Sequence, residues 1–290
     1  MQIRTILFPT DFSDIAANAL DYAGSWAGRL DAELILLHVQ NNPYGSPAAE
    51  AGSIPLDTVN TRLVNSKLES LLQDVTTRFG VRTRTHIEDG QPGDVIPRVA
   101  RDTNTDLIVM GSAGASGYTQ LFGTNLTTKV MAETRYPILI IPQEADYEPL
   151  RSWAYASDLQ GREELLVNSL LHLAAQLEAR VELLHVQKDP EVSKSKGYIL
   201  ENLQQRYGGS NLSYQLIPGS NVLQEIDHYV EQKQPDLLVM VRHDHSFWDR
   251  LFNRDKVAYS AARTNFPMLV LHAQGELGAS TEYGQPAGGV

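Results

Sequence analysis

The sequence predicts an α/β protein built from two tandem, doubly wound units, each a five-stranded parallel sheet flanked by helices. Short apolar runs alternate with amphipathic stretches along the chain, which is the pattern of βαβ units. Runs such as Leu34-Ile35-Leu36-Leu37 are apolar without alternation, as in strands covered on both faces. The chain also repeats itself. Asp11 and Leu36-Leu37-His38-Val39 recur 147 positions later as Asp158 and Leu183-Leu184-His185-Val186. Asp106-Leu107-Ile108-Val109-Met110 and Pro137-Ile138-Leu139-Ile140 recur 130 positions later as Asp236-Leu237-Leu238-Val239-Met240 and Pro267-Met268-Leu269-Val270.

In the first unit, residues 1–144, strands are expected at 5–9, 33–39, 82–88, 106–111 and 137–141. Ser13 or Asp14 caps a helix over 15–30, where Ala16, Leu20, Ala23 and Ala27 share a face. Further helices fit 57–79 and 94–102, and a fourth begins near Thr124. The second unit, residues 151–272, has strands at 153–156, 180–186, 212–217, 236–241 and 267–271. Between its second and third strands it is 17 residues shorter, since the repeat distance falls from 147 to 130. The first unit holds the Pro-, Gly-, Ala- and Ser-rich stretch 41–54 there, which reads as a flap or as solvent-exposed slack. Residues 143–150 form a linker, and 273–290 read as a disordered tail.

At 290 residues the chain has room for two cores. A net charge of −11, with no cluster of Lys and Arg, argues against a general nucleic-acid binder. No cysteine is present, which excludes disulfides, thiolate metal sites and thiol nucleophiles. The first residues read as a short strand, and no segment approaches the ~20 apolar residues needed to cross a bilayer. A cytoplasmic protein is expected.

The chemistry is expected at one loop. In an open parallel sheet, ligands collect at the carboxyl ends of the strands, where the strand order reverses. Asp11, Val39 and Gly111 fall at such ends. Gly111, Gly114 and Gly123 leave backbone N–H groups uncovered for a phosphate chain, and the helix opening at Thr124-Asn125 adds its N-terminal dipole. Thr124 can cap that helix and donate its hydroxyl to a phosphate. Asp11 can accept from a ribose, and the backbone around Val39 can pair with an adenine edge. The glycine spacing is neither a Walker A loop nor G-x-G-x-x-G. A purely structural loop is the competing reading.

The combination of motifs is more specific. Ile6-Leu7-Phe8-Pro9-Thr10-Asp11-Phe12-Ser13, Leu36-Leu37-His38-Val39, Gly90-Gln91-Pro92-Gly93-Asp94-Val95-Ile96, Asp106 through Gly114 and Tyr136-Pro137-Ile138-Leu139-Ile140 together resemble a universal stress protein domain. The likeness covers nearly all of residues 1–144 and, more weakly, 151–272, so the chain resembles a tandem universal stress protein. The resemblance implies a Rossmann-like domain of the adenine nucleotide alpha hydrolase type. In the ATP-binding branch it implies ATP, with or without Mg2+, or AMP or ADP, at the strand ends. The positions implied are Pro9, Thr10, Asp11, Val39, Met110, Gly111, Gly114, Gly123, Thr124 and Asn125. That branch's loop reads G-x2-G-x9-G-[ST], whereas eight residues separate Gly114 from Gly123 here. The resemblance also implies pairing of the strand from Pro137 to Ile141 with that from Pro267 to Leu271. A homodimer of the whole chain is a further possibility.

The second unit keeps Asp158 and Val186, but Val241, Asp244, Asn253 and Arg254 stand opposite Gly111, Gly114, Gly123 and Thr124. A carboxylate at Asp244 repels a phosphate, by about 4 kcal/mol for unit charges ~4 Å apart at an effective dielectric near 20. The second unit therefore reads as a non-binding partner of the first. Arg242, Arg250 and Arg254 could draw an anion or pair with Asp244 and Asp249. His243 and His245 with Asp244 lack a third ligand at a telling spacing, so no metal site is assigned. His38 and His185 read as hydrogen-bonded core histidines. Ser116 lacks G-x-S-x-G and a His–Asp pair, and Lys194-Ser195-Lys196 lacks a companion motif. Trp26, Trp153 and Trp248 read as core or interface residues. No catalytic residue is assigned. The expected function is adenine-nucleotide binding as a regulatory ligand, with a ligand-free interaction module and a slow ATPase as alternatives.

Overall fold

The computed structural model of the chain describes residues 1–40, 56–112, 124–157, 159, 163–187, 193–207, 211–242 and 266–272. The flap 41–54 and the tail 273–290 lie outside the described residues. The first elements are β1 (Thr5–Pro9), α1 (Asp14–Leu30), β2 (Glu33–Gln40), α2 (Leu56–Phe79), β3 (Thr83–Asp89), α3 (Pro92–Asp102), β4 (Leu107–Ser112), α4 (Thr124–Glu133) and β5 (Ile138–Pro142). They are followed by β6 (Ser152–Ala156), α5 (Glu163–Gln176), β7 (Arg180–Gln187), α6 (Ser193–Tyr207), β8 (Leu212–Pro218), α7 (Val222–Lys233), β9 (Leu237–Arg242) and β10 (Met268–His272).

Local chemistry sets the boundaries. The Ser13 hydroxyl accepts from the Ala16 N–H at 3.3 Å and caps α1, satisfying one of the orphan donors of its first turn. Asp31, in the left-handed region at φ 52°, ends α1. Pro92 opens α3, where its missing N–H is no loss. β2 and β4 each run one residue past the apolar patterns that predict them. Gln40 pairs with Asp89, and Ser112 pairs with Pro142, so neighbouring strands carry the ladder onward.

The strands form one ten-stranded sheet in the order β3-β2-β1-β4-β5-β10-β9-β6-β7-β8. The order β3-β2-β1-β4-β5 is thus mirrored by β8-β7-β6-β9-β10. Each run of five is parallel, and β5 meets β10 antiparallel with Leu139 opposite Leu269. Both leucines are fully buried. The repeated Asp106 and Asp236 serve the amino end of the sheet. Asp106 Oδ2 accepts from Arg4 N and Thr5 N at 2.8 and 3.0 Å, and Asp236 Oδ2 accepts from Arg151 N and Ser152 N at 2.9 and 2.8 Å.

The core lies in two layers, one on each face of the sheet, and each layer draws on both runs of strands. One holds Leu20, Trp26, Leu139, Trp153, Leu173 and Leu269. The other holds Leu7, Ile96, Ile138, Tyr229 and Val270. Trp26 of α1 stacks on Trp153 of β6 with centroids 5.9 Å apart, and the Trp153 indole N–H donates to Leu150 O. Such buried rings carry much of the apolar stabilisation. Segment 143–150 is held along α1: Asn18 Nδ2 donates to Ala145 O at 2.7 Å, and Tyr22 OH to Asp146 O at 2.7 Å. Among the described residues no helix is long and apolar enough to cross a membrane.

Candidate functional site

The strand order reverses at β1: β2 and β3 follow on one side, β4 and β5 on the other. Such switch points are where open α/β sheets bind ligands. β1 pairs with β2 along its whole length, from Thr5↔Glu33 to Pro9↔Leu37. Against β4 it pairs only at Ile6↔Leu107 and Leu7↔Ile108. Beyond that the ladder stops, and Pro9 contributes to this, because it has no N–H to donate. In the mirrored run, Ala156 stands in the place of Pro9, and β6 stays paired with β9 through Tyr155↔Val239 and Ala156↔Met240. The β1–β4 ladder is therefore two pairings shorter at its carboxyl end than the β6–β9 ladder.

The turn after β1 is fixed by local hydrogen bonds. Thr10 N donates to Leu37 O, the Thr10 hydroxyl accepts from Phe12 N at 3.1 Å, and Asp11 Oδ1 accepts from Ser13 N at 3.0 Å. These hold Phe12 at φ 64°, a left-handed backbone that costs a side-chain-bearing residue about 1–2 kcal/mol. The His38 Nδ1–H donates to Thr10 O at 2.9 Å, so this ring helps to position the turn. The same device recurs around β6. Ser157 N donates to Leu184 O, Leu159 N to the Ser157 hydroxyl, and His185 Nδ1 to Ser157 O, with Leu159 at φ 53°.

The structure brings Pro9, Thr10, Asp11, Val39, Met110 and Gly111 to one end of three adjacent strands. Pro9, Thr10, Met110 and Gly111 are buried, while Asp11 and Val39 are half-buried at the rim. Gly111 has a reason for being glycine beyond ligand room. A Cβ there would lie 2.7 Å from Ile15 Cγ2 and 2.8 Å from Ile15 O, so α1 packs directly on the β4 main chain. Val241, its counterpart, is a buried side chain. Gly114 and Gly123 lie outside the described residues, and only the backbone of Thr124 and Asn125 is described, as the first turn of α4. Asp158, Ser116, Asp244, Asn253, Arg254, Arg250, Asp249, His243, His245 and Trp248 also lie outside them. Among the described residues, no group of three His, Asp or Glu is arranged to hold a metal ion.

Three contributors escape sequence reasoning. Phe12 packs on the His38 ring with centroids 4.7 Å apart, and Lys67 of α2 reaches over the same Phe12 ring at 5.1 Å, placing a cation beside the turn. A Phe followed by a distant Lys gives no periodic signal that would join them. The third is Thr127 of α4. It is 4% exposed, and its hydroxyl has no hydrogen-bond partner, a condition that costs about 1–3 kcal/mol. The motif Gly90-Gln91-Pro92-Gly93-Asp94 is largely structural. Gly93 lets the Lys129 chain approach, and Lys129 Nζ pairs with Asp94 at 2.7 Å, joining α4 to α3.

The strand order defines a doubly wound α/β protein with its switch point at β1. The universal stress protein family model matches residues 2–142. Sll1654, a universal stress protein of Synechocystis, is 31% identical over 143 residues, spanning 49% of this chain and 87% of its own. MJ0531, a universal stress protein of Methanocaldococcus jannaschii, is 27% identical over 139 residues, spanning 48% of this chain and 81% of its own. The chain belongs to the universal stress protein family. A universal stress protein from Archaeoglobus fulgidus superposes over 92% of this chain and 96% of its own with a TM-score of 0.70, at 15% identity, a likeness of fold.

Proposed function

We propose that the chain is a tandem universal stress protein that binds an adenine nucleotide, ATP or its mono- or diphosphate, in its first unit as a regulatory ligand. The second unit acts as a non-binding partner joined through β5 and β10. The observation that carries this reading is the gathering of Pro9, Thr10, Asp11, Val39, Met110 and Gly111 at the carboxyl ends of three adjacent strands, where the strand order reverses. The ladder stops after Leu7↔Ile108 between β1 and β4 but runs on to Ala156↔Met240 between β6 and β9. Asp11 stands at that rim with one oxygen engaged by Ser13 N, and its carboxylate suits a ribose hydroxyl. The turn after β1 and its copy after β6 are built alike, so selectivity falls to the phosphate end. There the first unit has Gly111, Gly114 and Gly123, and the second has Val241, Asp244 and Asn253.

The close contact of Gly111 with Ile15 favours a second reading, a ligand-free interaction module in which that glycine serves packing alone. Isothermal titration with ATP decides between them. The nucleotide reading expects about one site per chain, lost in Gly114→Asp. The absence of heat in the native chain, with Gly114→Asp indistinguishable from it, rejects that reading. Extraction of nucleotide from freshly purified protein gives an independent check.

A further inference from the structure

We infer that the outer strand β8 is a self-association edge, through which two copies of the chain pair antiparallel as a twofold dimer, whether or not nucleotide binds. Among the described residues, β3 and β8 end the ten-stranded sheet, each with a single neighbouring strand. The two edges hold mirrored places but differ in chemistry. β3 carries Arg84, His86, Glu88 and Asp89. Charges along an edge strand discourage pairing with another chain. β8 reads Leu-Ser-Tyr-Gln-Leu-Ile-Pro from 212 to 218 and has no charged residue. Tyr214 and Leu216 are 41% and 42% exposed. Of the six large apolar side chains exposed among the described residues, Tyr198, Tyr214 and Leu216 belong to β8 or to α6, the helix that packs on it. Apolar exposure gathered at one edge marks a surface for another chain.

The main chain of β8 points the same way. Val181 N donates to Asn211 O, and Gly219 N donates to Gln187 O. The odd-numbered residues of β8 therefore turn their N–H and C=O groups toward β7. These groups alternate along a strand, so Leu212, Tyr214, Leu216 and Pro218 turn theirs to the side away from β7. Pro218 has no N–H, which leaves three outward donors. Side chains alternate with the same period, so these four residues, all bearing apolar or aromatic side chains, share one face of the sheet.

A second copy of β8 fits this edge. In an antiparallel pair centred on Gln215, Tyr214 lies opposite Leu216 of the second copy, and Leu216 opposite its Tyr214. Both are outward-facing residues, so each such pair exchanges two main-chain hydrogen bonds. The Leu212 N–H meets the Pro218 carbonyl of the second copy, and the N–H that proline lacks falls at the end of the ladder. All three outward donors of each copy thus find acceptors. Aromatic–aliphatic pairs across strands are stabilising, and no like charges are opposed. Pairing β8 with β3 of a second copy would instead set Tyr214 and Leu216 beside Arg84, His86 and Glu88. The fold already uses such a contact once, since β5 meets its mirrored counterpart β10 antiparallel.

Sedimentation equilibrium of the full chain, native and Leu216→Lys, measures the association, with circular dichroism to check that the variant is folded. The native chain is expected to be a dimer. Leu216→Lys removes two apolar side chains from the contact and raises the dissociation constant by roughly 100-fold. The register has its own test. The chain has no cysteine, so Gln215→Cys supplies the only thiol. In the register centred there, residue 215 faces its own copy in a non-hydrogen-bonded pair with Cα atoms ~4.5 Å apart, within disulfide reach. Residue 213 lies four residues out of step with its copy, ~14 Å away. Oxidation is expected to link Gln215→Cys and not Ser213→Cys. A monomeric native chain overturns the inference. So does a dimer that a folded Leu216→Lys leaves intact, or one in which Ser213→Cys links as readily as Gln215→Cys or neither links.

Discussion

Gly111 shows how one residue can be found for one reason and held for another. Its place at a strand end and its spacing to Gly114 mark it in the sequence as part of a phosphate loop. The structure adds Ile15, whose methyl and carbonyl leave no space for a Cβ. Overpacking of this kind costs about 1–3 kcal/mol, so Gly111→Ala is expected to lower stability by that amount in chemical denaturation. Ile15→Ala in the same chain is expected not to restore it, since the carbonyl oxygen remains 2.8 Å from the new Cβ. Full recovery in the double variant would show that only the side chain crowds the site. The histidines are equally instructive: the repeat of Leu-Leu-His-Val reveals that His38 and His185 are equivalent, but only the bonds to Thr10 O and Ser157 O show what they do.

Between elements, the outer strand β3 is tied to its flanking helix by charge. The His86 Nε2–H donates to Glu88 Oε1 at 3.0 Å, and Arg98 of α3 donates to Glu88 Oε2 at 3.1 Å. The His86 hydrogen bond first, and then Arg98, hold the Glu88 carboxyl below its ordinary value. A depressed carboxyl contributes stability above its unfolded-state pKa and loses it as pH falls through the folded value. Half-exposed pairs are worth little, so Glu88→Gln is expected to cost under about 1 kcal/mol near neutrality. That gap should close as pH drops below the ordinary glutamate value of about 4.3. Denaturation midpoints of both proteins across pH 3–7 test this, and a gap that widens in acid contradicts it. The order of strands and helices is legible from apolar runs, caps and Pro92. The carboxyl-end extensions of β2 and β4 are not, because Gln40 and Ser112 become strand through their neighbours, Asp89 and Pro142.

In the whole molecule, the two runs of strands share both core layers and one continuous sheet. β5 is an inner strand only because β10 lies beside it, and Trp26 is covered by Trp153. Residues 1–144 expressed alone would bare the β5 edge and the α1 face. Exposed apolar edges recruit further strands, so this fragment is expected to dimerise or aggregate. Size-exclusion chromatography checks the expectation, and a well-behaved monomer with native-like melting would contradict it. In the intact chain, the N-terminal amine donates to Ser169 O at 3.0 Å and Arg29 pairs with Glu178 at 3.2 Å, adding polar ties across the same contact.

The residues alone determine the α/β class, the repeat of motifs at distances of 147 and 130, the order of elements and the contrast of Gly111, Gly114 and Gly123 with Val241, Asp244 and Asn253. These are properties of periodicity and spacing, written along the chain. Folding in three dimensions decides how far β1 pairs with β4, why Gly111 has no room for a side chain, and that Phe12, His38 and Lys67 meet. It also decides that, among the described residues, the buried Thr127 hydroxyl lacks a partner. Such facts depend on distances between groups far apart in the chain, and no local pattern encodes them.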